Sequence, residues 1–328
     1  MALIECVPNF SEGRDSTIIE AIAQAINSNK GVYLLHKDIG SDANRTVFTF
    51  VGEPYAVINA AYDAIVCAVS RIDMRKHQGV HPRIGACDVC PIIPIADIGI
   101  DACKLLAEEL AAKVADLGVP IYMYAENART TERKELSFLR RGEYEGLLHR
   151  IQENVPDYGT YFNARSGATV IGARTYMLAY NVNLTTKDVA IAKAIAARVR
   201  AASGLEVLYP KYEKIKSLKA IGWYMPEYGC SQVSTNMYDT VSVGMHDVYE
   251  AIKFWAAYYG VEVHGSELIG LSPYSCILAA GKYYKDDADT EGDILEAAIQ
   301  GLGLDTLKDF NAEEKILEWK LQYMMDIT

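Results

Sequence analysis

The order of strand and helix signals constrains this chain more than any other feature, because one order is written twice. Ile58, Ala61, Ile65, Ala68 and Ile72 recur at spacings of 3, 4, 3 and 4 behind Pro54, which predicts a helix with one apolar face. Ahead of it lie a strand over 3–7 and a helix whose Ile18, Ile19, Ile22 and Ile26 share a face, with Thr17 and Glu20 as its capping box and Gly31 as its stop. Two strands, 32–38 and 46–51, complete the approach. After it come a strand over 88–95, a helix striped by Cys103, Leu106, Leu110, Val114 and Leu117 up to Gly118, and a strand over 120–124. The core order is βαββαβ.

A polar, irregular stretch over 126–167 follows, and then the pattern starts again. A strand over 175–184 leads to a helix through Val189, Ala192, Ala196 and Val199, then to strands over 220–225 and 232–237. A helix with Val248, Ile252, Trp255 and Tyr259 ends at Gly260, and a strand runs from 261 to about 271. The expected fold is therefore α/β, of the α+β sandwich type: two ferredoxin-like βαββαβ subdomains, 1–174 and 175–328, with extra C-terminal helices. The 328-residue length suits two such units.

Half of the residues are hydrophobic, so each unit can bury a core, and no apolar run approaches the roughly 20 residues that span a bilayer. The first residues lack the basic region and apolar stretch of a signal peptide, and a cytoplasmic protein is expected. With 32 Lys and Arg against 43 Asp and Glu, the net charge of -11 repels nucleic acid and anionic lipid. An anionic ligand needs a local basic pocket. Seven cysteines, mostly inside apolar stretches, read as reduced thiols rather than a disulfide framework.

The two halves differ at one place. Between its second helix and the next strand the first half inserts residues 73–85, with His77, His81, Arg75, Lys76 and Arg83, where the second half passes through Gly260 and a residue or two. Packing does not require this insertion, and it is read as a functional loop. His77, His81, Cys87 and Cys90 have the residue types of a zinc site, but Gly79 and Pro82 oppose a helix there. Cys87 and Cys90, three apart on a strand, are expected on opposite faces. No metal is expected. Ser11 and Cys87 lack a base at a recognised spacing and are discarded as nucleophiles. GATVIGAR, 167–174, is no phosphate loop and reads as a chain reversal into the second unit. Asp42 and Asn44 read as turn residues. Asp38 and Arg45 flank that turn and are candidates, if it lies beside the inserted loop, to orient a histidine and to hold a carboxylate.

VPNFSEG (7–13), NRTVFTFVG (44–52), IDMRKHQGVHPRIGACDVCPIIP (72–94), GATVIGAR (167–174), YNVNL (180–184), GWY (222–224) and QVSTN (232–236) resemble the glutamate formimidoyltransferases. These enzymes of histidine breakdown also form the formiminotransferase part of the formiminotransferase-cyclodeaminases. The resemblance implies a homodimer that transfers a formimidoyl group from N-formimidoyl-L-glutamate to N5 of tetrahydrofolate, the co-substrate. It implies that His81, in the HPR triplet, is the catalytic acid/base, and that the segment with Gly159, Ser166 and Gly167 helps bind folate. Around 157–167 the sequence departs from the family's proline-containing pattern. Asp38 is then the expected orienting carboxylate, and Arg45, Arg75, Lys76 and Arg83 the cations for the carboxylates of glutamate and folate. With the sequence running to Thr328, ammonia release is expected to fall to a separate cyclodeaminase. A reduced-folate-binding protein without turnover and a 5-formyltetrahydrofolate to glutamate formyltransferase are the alternative readings.

Overall fold

The structure, a computed structural model, describes residues 2–326 other than 160, 201–203, 214 and 287–289. The chain divides after Thr175 into two compact units of mixed α and β structure. The first contains β1 (Leu3–Cys6), β2 (Asn9–Phe10), α1 (Ser16–Asn27), β3 (Val32–Gly40), β4 (Arg45–Gly52), α2 (Pro54–Arg71), β5 (Cys87–Ala96), α3 (Ile100–Ala115), β6 (Ile121–Met123), α4 (Leu136–Leu139), α5 (Glu143–Glu153) and β7 (Thr169–Ala173). The second contains β8 (Leu178–Leu184), α6 (Val189–Val199), β9 (Leu218–Met225), β10 (Cys230–Met237), α7 (Met245–Tyr258), β11 (Val263–Ile269), α8 (Tyr274–Tyr284), α9 (Glu291–Leu302), α10 (Ala312–Lys315) and α11 (Leu317–Asp326). No helix among the described residues is long and apolar enough to cross a membrane.

In the first unit, β1 and β2 lie end to end between β4 and β5, and β3 flanks β4, all antiparallel. The spatial order β5-β1-β4-β3 is repeated in the second sheet as β11-β8-β10-β9. Beyond β5 the first sheet continues with parallel β7 and β6. GATVIGAR is thus not the expected reversal. Thr169–Ala173, all buried, form an inner strand, and Gly172 is needed because a Cβ there would lie 2.3 Å from the Tyr124 carbonyl oxygen.

Helical periodicity explains the first core. Ile58, Ala61, Ile65 and Ala68 of α2 are buried with Ile19, Ile22 and Ile26 of α1 and Leu106, Leu110 and Val114 of α3. Cutting Ile65 back to alanine should cost about 2–5 kcal/mol, because a filled interior relaxes only partly around a void. On the opposite face of the sheet, Val89, Tyr122, Tyr124 and Val170 pack with Leu139 and Leu147 from α4 and α5. In the second unit Tyr180, Val182 and Leu184 alternate into a core around the fully buried Trp255.

Two local expectations are corrected. The cap of α1 is Asp15, whose carboxylate accepts from Thr17 N (2.8 Å), while Glu20 pairs with Lys37 at 3.0 Å. Cys87 and Cys90 share one core rather than opposite faces, because the register shifts between Asn9 and Phe10 opposite the start of β5. All seven cysteines are free, with Cys6 and Cys90 sulfurs 3.5 Å apart.

Candidate functional site

The inserted loop, residues 72–86, closes against the turn between β3 and β4. Gly79 has no room for a Cβ, which would lie 2.2 Å from the Ala43 carbonyl oxygen, and Val80 N donates to the Asp42 carbonyl at 3.2 Å. Asn44 sits in the left-handed region (φ 48°), a conformation its short amide tolerates. It is more than a turn residue. Its Oδ1 accepts from Gly13 N (2.9 Å), its Nδ2 donates to the Gln78 carbonyl (3.0 Å), and its own carbonyl accepts from His77 Nε2 (2.8 Å). One side chain thereby ties together the VPNFSEG segment, the hairpin turn and the histidine loop.

His77 is held by both ring nitrogens. Arg83 Nε donates to its Nδ1 at 3.1 Å; since a guanidinium only donates, the imidazole proton sits on Nε2, facing Asn44. Burial, with the Arg83 charge, lowers its pKa, against the hydrogen bond to Asn44. Arg83 itself is buried and commits all five N–H donors: to His77 Nδ1, to the His77 carbonyl, to Glu143, and twice to Glu145. It has no donor left for a substrate carboxylate. Its place is that of a bolt between the loop and α5.

His81 lies half-buried in a small cleft lined also by Ser11, Asn44, Arg45, His77, Arg83 and Asp88. Arg45 Nη1 stands 2.7 Å from His81 Nε2, so Nε2 is the acceptor and the ring proton is on Nδ1. Burial first, then the cations Arg45 and Arg140, push its pKa down to about 4, against Asp88 and the backbone of Pro82. His81 is neutral at pH 7. Asp88 is the buried carboxylate of this cleft: Oδ1 accepts from Ile84 N (2.9 Å) and Oδ2 from Arg140 Nε (2.9 Å). Burial also works against the charge of Arg45, and Asp38 and Asp88 support it; Arg45 Nε is buried without a hydrogen-bond partner.

The structure thus brings His81 and Arg45 into contact, with Arg83 lining the same cleft but engaged elsewhere, and places the remaining candidates apart. Asp38 is exposed on β3, paired in register with Val47, and acts on Arg45 rather than orienting His81. Arg75 is exposed and forked onto Asp73 at 2.6 and 2.8 Å, and Lys76 is exposed. Ser11 donates its hydroxyl to the Gly85 carbonyl at 2.7 Å. Ser166 and Gly167 run beside the loop: Ala86 N donates to the Ser166 carbonyl (2.7 Å), and Gly167 (φ 68°) bridges Gly85. Gly159 is also left-handed (φ 66°), against the backbone of Pro120. No group of three or more metal-ligating side chains is present among the described residues. Sequence reasoning missed Asp88, Arg140, Glu143 and Glu145. For Asp88 there was a signal, a lone charge inside the apolar strand CDVCPII; for the others the long irregular stretch carried none.

Residues 3–174 match the family model described as formiminotransferase domain, N-terminal subdomain, and residues 179–322 match that of the formiminotransferase domain. The formimidoyltransferase-cyclodeaminase of Gallus gallus is 41% identical over 98% of this chain and 60% of its own length. This chain spans about three fifths of the length of such bifunctional relatives. The glutamate formimidoyltransferase of Streptococcus pyogenes serotype M1 is 38% identical over 91% of this chain and 99% of its own, and that of Thermoplasma acidophilum is 37% identical over 92% and 98%.

Proposed function

This chain belongs to the formiminotransferase family, and on that premise we propose that it transfers the formimidoyl group of N-formimidoyl-L-glutamate to N5 of tetrahydrofolate, giving 5-formimidoyltetrahydrofolate and L-glutamate. The observation that carries the reading is the pair formed by a neutral His81 and Arg45 in one small cleft. The chemistry needs both. N5 attacks the amidine carbon and forms the new C–N bond, and its proton passes to the imidazole. The C–N bond to glutamate breaks as that proton returns to the departing nitrogen, which leaves poorly as an anion. A positioned acid/base of this kind supplies about 10²- to 10⁴-fold. Arg45 is the cation in contact with His81, with its Nε uncommitted, and a carboxylate of the donor substrate is its partner.

The narrow cleft at His81 is assigned to the reacting head group. The remainder of the folate is assigned to the segment with Gly159, Ser166 and Gly167, and its anionic tail to the exposed Arg75 and Lys76. Asp38 serves through Arg45. The strand order shared by the two sheets is read as ferredoxin-like in each, with the subdomain 1–174 carrying the catalytic histidine and 175–328 completing the enzyme. A cytoplasmic homodimer completes the proposal. No metal enters it: His77 has both nitrogens engaged and Cys87 and Cys90 face a core. The test is to incubate the protein with both substrates and follow 5-formimidoyltetrahydrofolate and released glutamate by mass spectrometry. Tight folate binding with no product would favour a storage protein instead.

A further inference from the structure

His81 must take up a proton at a ring nitrogen, yet Nε2, the nitrogen with a lone pair, is already engaged by a donor from Arg45 at 2.7 Å. In this arrangement the base is blocked by a cation. That cation is itself incompletely satisfied, because Arg45 Nε is buried and has no hydrogen-bond partner. Such a group costs free energy until an acceptor reaches it, and a planar carboxylate set across Nε and the adjacent terminal nitrogen matches its geometry. We propose that Arg45 is a ligand-operated latch on His81: a substrate carboxylate captured by Arg45 releases Nε2 and allows the imidazole to hold and return a proton.

With the carboxylate in place, the guanidinium becomes half of an ion pair, and Nη1 can leave the imidazole without stranding a charge. The other charged groups facing His81 do not reproduce this control. Asp88, on β5, is bound to Ile84 N and Arg140, so Arg140, beyond α4, keeps its own carboxylate whether or not a ligand is present. His77 and Arg83, which line the same cleft, are fully engaged with Asn44 and with Glu143 and Glu145. The low proton affinity of unliganded His81, with its pKa at about 4, fits this latch: burial is the first cause and Arg45 the second, and only the second can be cancelled by an anion. The consequence is ordered activation, in which the imidazole gains its acid/base range only once the anionic donor is seated.

The inference rests on the reading of His81 as the acid/base, and its test needs no turnover. Protein labelled with ¹³C at histidine Cε1 is followed by NMR at pH 6, the His81 signal being assigned with His81→Gln, with and without saturating glutarate. Glutarate is expected to raise the protonated fraction of His81 about tenfold or more, the effect of a midpoint rise of one pH unit. The neutral isostere glutaramide is expected to leave it unchanged. In Arg45→Gln the imidazole should be more protonated without ligand and indifferent to glutarate. An unchanged His81 signal at the highest glutarate concentration, an equal response to glutaramide, or a full glutarate response in Arg45→Gln each overturns the latch; the wild-type comparison suffices if the variant does not fold. Formimidoyl transfer without this response would leave the proposed function standing and remove the latch. The response without transfer would do the reverse.

Discussion

The two units build sheets of the same strand order and differ where the second helix meets the strand that follows it. In the second unit α7 ends at Tyr258, Gly260 takes the left-handed conformation (φ 73°), and four residues, 259–262, suffice to reach β11. In the first, α2 ends at Arg71 and Ile72 is already extended, with no glycine to turn the chain, and fifteen residues, 72–86, lead away before β5 begins. The comparison shows that the fold needs only the short connection. The long one is a polar graft: it holds His77, His81 and Arg83 by hydrogen bonds to the hairpin turn and α5, which is how a site is held on a rigid scaffold.

The strongest way to break this contrast is to disable one half-buried histidine in each unit in turn. His81→Ala is expected to lower turnover by about 10²-fold or more with folate affinity within a few-fold, while His246→Ala, which removes a ring stacked on Tyr283 in the second unit, should leave turnover within about twofold. Equal losses in kcat would erase the functional asymmetry. Next, Arg45→Met should raise KM for formimidoylglutamate about tenfold or more, the loss of a charge-assisted hydrogen bond worth roughly 1.5–3 kcal/mol, with little change in Tm.

Arg83→Met sharpens the distinction between binding and bracing. Because every donor of Arg83 is committed within the protein, the variant should lower Tm by several degrees and kcat by about tenfold, with substrate KM moving less than in Arg45→Met. Thermal denaturation beside steady-state kinetics separates the two; a KM effect alone would return Arg83 to the substrate.

Acid should act on the first unit through its histidines. The folded pKa of His81 lies at about 4, below the ordinary 6.5, so the unfolded chain binds the proton more readily between these values. Stability from this group is therefore complete above about pH 6.5 and is lost progressively as pH falls towards 4. Melting wild type and His81→Ala from pH 7 to 4 checks the sign: the variant should lose less Tm. Smallest of all is the effect of metal removal, since activity after exhaustive EDTA treatment should stay within experimental error of the untreated enzyme. A parallel loss of zinc and activity would show a ligand set in the graft that the hydrogen bonds leave no room for.

Much of the scaffold was legible because periodicity reports burial directly. The stripe on α2 and the alternation of Tyr180, Val182 and Leu184 with Asn181 and Asn183 need only a helix or strand lying on one core, and Pro54 and Gly260 mark where helices start and stop. Lateral order was less legible. The pattern of TVIGA fits a buried strand, yet nothing in it shows that the strand slots between β5 and β6 rather than turning the chain back. The face of Cys87 was also hidden, because a single register shift opposite β5 cancels the simple alternation.

The sequence by itself determined the repeated element order, the inserted loop and the residue types within it, since these follow from local spacing and from the contrast between two halves of one chain. Tertiary structure alone decided which charge meets which. Asp88 rather than Asp38 became the carboxylate of the cleft, Arg83 became a brace through Glu143 and Glu145 some sixty residues away, and Arg45 was set on His81 Nε2. Hydrogen bonds and charge pairing act over a few ångströms in space and are indifferent to separation along the chain. Their partners are therefore chosen only when the hairpin, the loop and α5 have packed together.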